Sequence, residues 1–166
     1  MKARWSEPSP RRALAREGRL FLSQFPRALD AKGRLSLPAP FRAVLAKESF
    51  EGVFVHPALD APALDCGGRR LLGEIESLLA TMPAYSPQRE DLSLALLGAS
   101  EIVKLDSEGR LLLSERQKAA IGLVREAVFV GQGDKFQIWA AEAFATRLEG
   151  ARARARALRA ELGSRT

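Results

Sequence analysis

"LDAKGRLSLP" at residues 29–38 and "LDSEGRLLLS" at residues 105–114 share Leu, Asp, Gly, Arg, Leu and Leu at six of ten positions, in the same order. Around the first copy, Phe25, Arg27 and Leu29 alternate with Pro26, Ala28 and Asp30, and Leu35 and Leu37 alternate with Arg34 and Ser36. Period two on both sides of a short Asp-Ala-Lys-Gly break predicts a β-hairpin. Gly33 takes positive φ without a Cβ penalty, and the Asp30 carboxylate is placed to accept from the backbone N–H groups of the turn. Pro38 cannot donate to a ladder and ends the second strand.

The likeness extends beyond the ten residues. An offset of 76 sets Leu29 on Leu105, Gly33 on Gly109, Arg34 on Arg110, Arg42 on Lys118 and Leu45 on Ile121. After a slip of one residue, "VFV" at 53–55 falls on "VFV" at 128–130. A repeat of this kind signals duplication of a supersecondary unit that does not bury its apolar face alone. Each unit reads as strand, turn, strand, short helix (roughly 40–47 in the first) and strand ("GVFVHP", 52–57). The second unit adds "KFQIW" at 135–139 as a clear fourth strand, whereas "APAL" at 61–64 reads as a degenerate one. Leu71, Ile75, Leu78 and Leu79 then form an amphipathic helical stripe that Pro83 stops. Ser86 and Pro87 start a second helix carrying Leu92, Leu96 and Leu97. From Ala140 to about Leu162 the chain is helix-prone, with Arg152, Arg156 and Arg159 on one face. The expected division is a disordered basic extension (1–19), a first unit (20–67), a helical linker (68–100), a second unit (101–142) and a basic helix or tail (143–166).

Composition narrows the chemistry. The 166 residues are 46% hydrophobic and 28% charged, the balance of a soluble globular chain. No apolar run approaches the ~18–20 residues that span a bilayer. The single cysteine, Cys66, excludes an internal disulfide and fits a reducing cytosol. The single histidine, His56, lies ten residues away across a Pro-rich stretch read as a loop, which disfavours a Cys–His pair; no soft-ligand metal site can be assembled. No Ser-His-Asp set and no Walker-type phosphate loop occurs, so the chain does not read as an enzyme. The net charge of +6 resides in two tails: residues 1–19 and 151–166 each carry +4, leaving −2 on the body. Basic tails suit a polyanion.

The two Asp-x-x-Gly-Arg turns are the feature above background. Asp30 with Arg34, and Asp106 with Arg110, can clip the base of a turn. The first turn also concentrates positive charge: Arg27, Lys32 and Arg34 stand where the second copy has Val103, Glu108 and Arg110. A two-stranded ribbon fits the DNA major groove, where Arg pairs bidentately with guanine and Lys neutralises phosphate. One such turn makes few base contacts, so specificity requires several copies side by side.

"LDAKGRLSLPAPFR" (29–42), "LLGAS" (96–100), "LDSEGRLLLSERQKAAIGL" (105–123) and "VFVGQGDKFQIW" (128–139) together resemble the MraZ family of bacterial transcriptional regulators, over about residues 20–150. The resemblance implies an α+β fold in which two tandem SpoVT/AbrB-like units make one pseudo-symmetric swapped-hairpin β-barrel with added helical segments. It implies a cytoplasmic, nucleoid-associated homo-oligomeric ring that binds double-stranded DNA at G-rich direct promoter repeats. It further implies a repressor of the division and cell wall gene cluster, with no cofactor, metal, membrane or small-molecule substrate. DNA contact carries over to Lys32 and Arg34, with Arg27, Arg42 and Arg110 as further candidates. Asp30, Gly33, Asp106 and Gly109 shape the turns. The competing reading is an AbrB-like antitoxin or structural interaction protein. Ser23 stands where the family prefers Gly, and the sparse "ALDAPALDCGG" (58–68) predicts a weakly packed edge for the first unit.

Overall fold

The computed structural model describes residues 18–164; residues 1–17 of the expected basic extension lie outside them. The first unit runs β1 (Gln24–Ala28), β2 (Arg34–Ser36), α1 (Ala39–Lys47), β3 (Val53–Pro57) and β4 (Ala63–Gly67). Helices α2 (Arg69–Ala80) and α3 (Pro87–Ser93) follow, then a π-helical turn at Leu94–Gly98. The second unit is β5 (Glu101–Val103), β6 (Arg110–Leu112), α4 (Glu115–Ile121), β7 (Glu126–Gly131) and β8 (Phe136–Ala140), and α5 (Ala141–Gly163) closes the chain. The result is a mixed α+β structure.

Local chemistry sets the element ends. Pro38 precedes α1 and Pro40 sits in its first turn, where a missing N–H costs nothing. Ser114 and Gln117 form a reciprocal capping box on α4, and Gly122 ends that helix in the left-handed conformation. The Ser86 hydroxyl accepts from the Arg89 N–H at the start of α3. Ser23 takes φ 74°, the left-handed conformation that glycine reaches without a Cβ penalty.

All strand pairs are antiparallel, and most join the two units. The six-stranded sheet has the order β1-β7-β8-β4-β3-β5, and β2 pairs with β6 in a separate ladder. Exchanging each strand for its counterpart in the other unit reverses the order onto itself, so the sheet has a pseudo-two-fold axis. Pairs β1–β7, β3–β5, β4–β8 and β2–β6 cross between units; only β3–β4 and β7–β8 stay within one. This corrects the expected local hairpin. The turn itself closes, with the Gly33 N–H donating to Asp30 O (2.9 Å) and the Asp30 N–H donating to Arg34 O (3.0 Å). Beyond it the strands part: Phe25 lies opposite Phe129, and Leu35 lies opposite Leu111. Alternation identifies a strand with one buried face, but the edge hydrogen bonds go to whichever strand shares that core.

One core serves both units. Phe21, Leu35, Phe41, Val53, Val55, Leu64, Leu111, Phe129, Phe136 and Ile138 are fully buried in it. The Phe41 ring meets those of Phe21 and Phe25 edge-on, each at 5.3 Å, and lies 4.8 Å from that of Phe136.

Four expectations change. The first unit does have a fourth strand: β4 is buried throughout and sits between β3 and β8, so it is no edge. Its small residues suit a crowded centre, where Leu71 would clash with any Cβ at Gly67. The "VFV" match inverts the faces, since Val53 and Val55 join the shared core whereas Val128 and Val130 face α5; a slip of one residue has that effect on a strand. Leu78 of the α2 stripe is exposed, and Leu71, Ile75 and Leu79 alone are buried. His56 and Cys66 lie not in a loop but on the β3–β4 pair, where Val55 opposes Cys66 and His56 opposes Asp65. Burial, followed by the neighbouring Asp65 charge, pushes the Cys66 thiol well above its ordinary pKa.

Leu35 and Leu111 are both at 0% exposure and directly paired. Leu35→Ala and Leu111→Ala should each lower unfolding free energy by about 2–5 kcal/mol. The double variant should depart from additivity by ~0.5 kcal/mol or more in urea titrations, because the two share one contact; independent effects would count against a shared core.

Candidate nucleic-acid interface

Each turn is organised by its aspartate. Asp30 Oδ1 accepts from the Lys32 and Arg34 backbone N–H groups at 2.9 Å each, and Oδ2 accepts from Arg34 Nε at 2.8 Å. Asp106 repeats the pattern with the Glu108 N–H, the Arg110 N–H and Arg110 Nε, all at 2.9 Å. Gly33 and Gly109 both take φ 77°. The backbone N–H of Arg34 beside Asp30, and that of Arg110 beside Asp106, are the main reasons both carboxyls titrate below the ordinary aspartate value. The Asp106 hydrogen bond raises the Arg110 guanidinium above its ordinary value.

Pairing of β2 with β6 brings the turns together. Arg34 Nη1 lies 3.6 Å from Asp106 Oδ2, and Arg110 Nη1 lies 3.9 Å from Asp30 Oδ2. Two aspartates and two arginines thus form one quartet, each side chain 24–31% exposed. The helix of each unit covers the turn of the other: the Arg42 guanidinium lies against Gly109, and Lys118 Nζ stands 2.9 Å from where a Cβ on Gly33 would be. A side chain on either glycine would displace a cation.

The two sides then diverge in charge. Glu108 Oε2 closes on Arg110 Nη2 at 2.8 Å, and Glu115 Oε1 lies 3.3 Å from Lys118. The positions 76 residues earlier hold Lys32 and Ala39. Among the described residues, the carboxylates paired with Arg34 are therefore only those of Asp30 and Asp106. Lys32 and Arg42 are exposed.

The structure therefore unites Asp30, Gly33, Arg34, Asp106, Gly109, Arg110 and Arg42 in one cluster, with Lys32 exposed on the first turn. Arg27 stands apart: its Nη1 donates to its neighbour Pro26 O (2.8 Å), and its guanidinium lies 5.7 Å from the Phe25 ring centroid. Lys118 and Lys104 were missed as cations of this face. Lys118 was signalled by its alignment with Arg42; Lys104 carried no sequence signal, and only a surface hollow shared with Arg42 and Leu105 associates it with the second turn. No group of three His, Cys, Asp or Glu residues suited to a metal occurs among the described residues. No helix there is long and apolar enough to cross a membrane.

Fold and site together define a tandem-repeat protein whose duplicated units meet at paired Asp-x-x-Gly-Arg turns. A family model described as "MraZ protein, putative antitoxin-like" matches residues 95–162. A protein of Beijerinckia indica named "Transcriptional regulator MraZ" is 57% identical over 145 residues, covering 87% of this chain and 88% of the relative. Proteins of the same name from Methylocella silvestris (52% identical; 87% and 88% covered) and Xanthobacter autotrophicus (49%; 87% and 92%) are similar over the same extent. The chain belongs to the MraZ family.

The carboxylate contribution has a defined pH window. Because folded Asp30 and Asp106 titrate below their unfolded value near 3.8, the stabilisation is complete above about pH 5 and is lost as pH falls through the lower folded values. Asp30→Asn with Asp106→Asn should lower the urea midpoint at pH 7 and flatten its fall below pH 4. Parallel wild-type and variant profiles would show that the carboxylates contribute nothing.

Proposed function

We propose that this protein is a sequence-specific DNA-binding transcriptional regulator that acts from the first Asp-x-x-Gly-Arg turn. The observation that carries the reading is the charge divergence of two turns with the same geometry. In the second, Glu108 neutralises Arg110, whereas in the first Lys32 occupies that place; Glu115 pairs with the Lys118 that lies over the first turn, so the divergence rests on Lys32 against Glu108. Asp30 holds Arg34 by its Nε, which fixes the guanidinium plane; Nη1 is drawn toward Asp106 only at 3.6 Å, and the terminal nitrogens form the edge offered to guanine O6 and N7. Lys32, on the exposed tip, neutralises backbone phosphate, and Arg42 extends the cationic surface. The names of the relatives support the regulatory role.

The finer reading follows the family resemblance. The cross-paired units form a swapped-hairpin, AbrB-like barrel; the protein assembles as a ring and binds G-rich direct repeats; and it represses a division and cell wall gene cluster from the nucleoid. The inter-unit strand pairing supports the barrel. The small size of one turn supports assembly, since one Arg and one Lys make too few contacts to specify a site.

Fluorescence anisotropy on the gene's own upstream DNA and on a scrambled duplex tests this. Arg34→Ala should cost about 1–3 kcal/mol on the upstream duplex and remove the preference. Lys32→Ala should weaken both duplexes alike and reduce the slope of log affinity against log salt by about 1. Equal wild-type binding to both duplexes that vanishes in higher salt would reject sequence reading. If Arg110→Ala abolished specificity and Arg34→Ala did not, the roles of the turns would be reversed.

A further inference from the structure

The outer face of the six-stranded sheet, away from the shared core, carries two separate covers. On the β3 side Phe54 packs with Leu71, Ile75, Leu79 and Leu96. On the β7 side Val128, Val130 and Trp139 pack with Phe144 and Leu148 of α5. The covers do not meet, and between them lies a cavity of about 540 Å³. That volume falls within the ~300–1,000 Å³ typical of small-molecule sites.

Its floor is a chain of polar side chains on β4 and β8, an uncommon content for the face of a central strand. Asp65 and Gln137 are each more than nine-tenths buried. Gln137 Nε2 donates to Asp65 Oδ1 at 2.7 Å, and Lys135 Nζ lies 3.0 Å from Asp65 Oδ2. Gln137 Oε1 accepts from Trp139 Nε1 (2.9 Å) and from Gln132 Nε2 (3.0 Å). The acceptors of Asp65 and Gln137 are thus occupied. What remains is donor capacity: the other N–H groups of Lys135, and Arg147, which stands exposed at the rim with no carboxylate partner among the described residues. Asp60, also exposed, is the one acid at the rim. The walls are apolar, from Leu59, Leu96, Trp139, Phe144 and Leu148.

A site rich in donors, floored by a satisfied polar network and walled by apolar side chains, selects a ligand that brings acceptors and an apolar body. We propose that this cavity binds a small amphipathic anion, an apolar-bodied carboxylate or its phosphate or sulfonate equivalent, as an effector distinct from DNA. The anionic group meets Arg147 and Lys135, and the apolar body lies against Trp139 and Leu148. The assignment stands independently of the turns, because none of its residues belongs to them.

Trp139 reports on the cavity directly. In a Trp5→Phe background it is the only tryptophan. Octanoate below its micelle concentration should produce a saturable change in Trp139 emission, and octylammonium and acetate should not. Arg147→Glu should weaken octanoate about five- to tenfold, Arg147→Lys should retain it, and Ala151→Phe, which fills the cavity, should abolish it. Size-exclusion chromatography with and without octanoate accompanies the titration. An emission change at constant mass supports the assignment. Absence of saturation, an equal response to octylammonium, or indifference to Arg147→Glu overturns it. An emission change that tracks a change in mass also overturns it, because the cavity is then a surface between copies of the chain.

Discussion

Neither unit of this chain supplies partners for its own first two strands. Strand β2 is three residues long and, among the described residues, has no hydrogen-bonded strand neighbour except β6, and β1 finds its strand neighbour there only in β7. Leu35 and Leu111 meet at 0% exposure where those short strands cross. Backbone groups and apolar faces are thus satisfied by the same exchange, and the rest of the structure is hung on it. The aromatic core of Phe21, Phe41, Phe129 and Phe136 draws on both units, so half of the chain retains no core of its own.

The same exchange assembles the charged quartet. Within a turn the Asp carboxylate is already committed: two backbone N–H groups take one oxygen and its own arginine takes the other. The longer contacts between units, at 3.6 and 3.9 Å, arise because the β2–β6 register sets the turns side by side. Partly exposed pairs of this kind are screened by water and contribute little stability each. Their consequence is geometric: they fix the direction of two guanidinium groups on a surface that is otherwise loops and helix ends.

The duplicated turn, the carboxylate that organises it, the stop of β2 before Pro38 and of α2 before Pro83, and the length of α5 were all legible in the sequence. Each depends on neighbours within a few positions. The partner of each strand was not legible, because period two records a buried face and carries no information on which edge meets which. For the same reason the "VFV" identity misled: the match is by residue type, while the face is set by parity along the strand. Strand β4 reads in the sequence as a degenerate strand at 61–64 because Ala63, Cys66 and Gly67 look like loop residues; crowding of Gly67 by Leu71, visible only in three dimensions, leaves no room there for a side chain. At the site, the Lys32 and Glu108 contrast was readable. The cover of each turn by the other unit's helix was not, since it depends on the exchange.

Joining the two units in one polypeptide has a further consequence. In a true homodimer every substitution appears twice, so the two halves cannot differ and the surface keeps a strict two-fold axis. Here Lys32 and Glu108 occupy matching places and carry opposite charge. The axis survives in the backbone and is lost in the electrostatics. A two-fold reader meets DNA as a palindrome, the same from either end; a reader with one cationic and one neutralised half has a head and a tail. Under the proposed function, such subunits set in a row would all point one way along the duplex, and polarity would come from the protein.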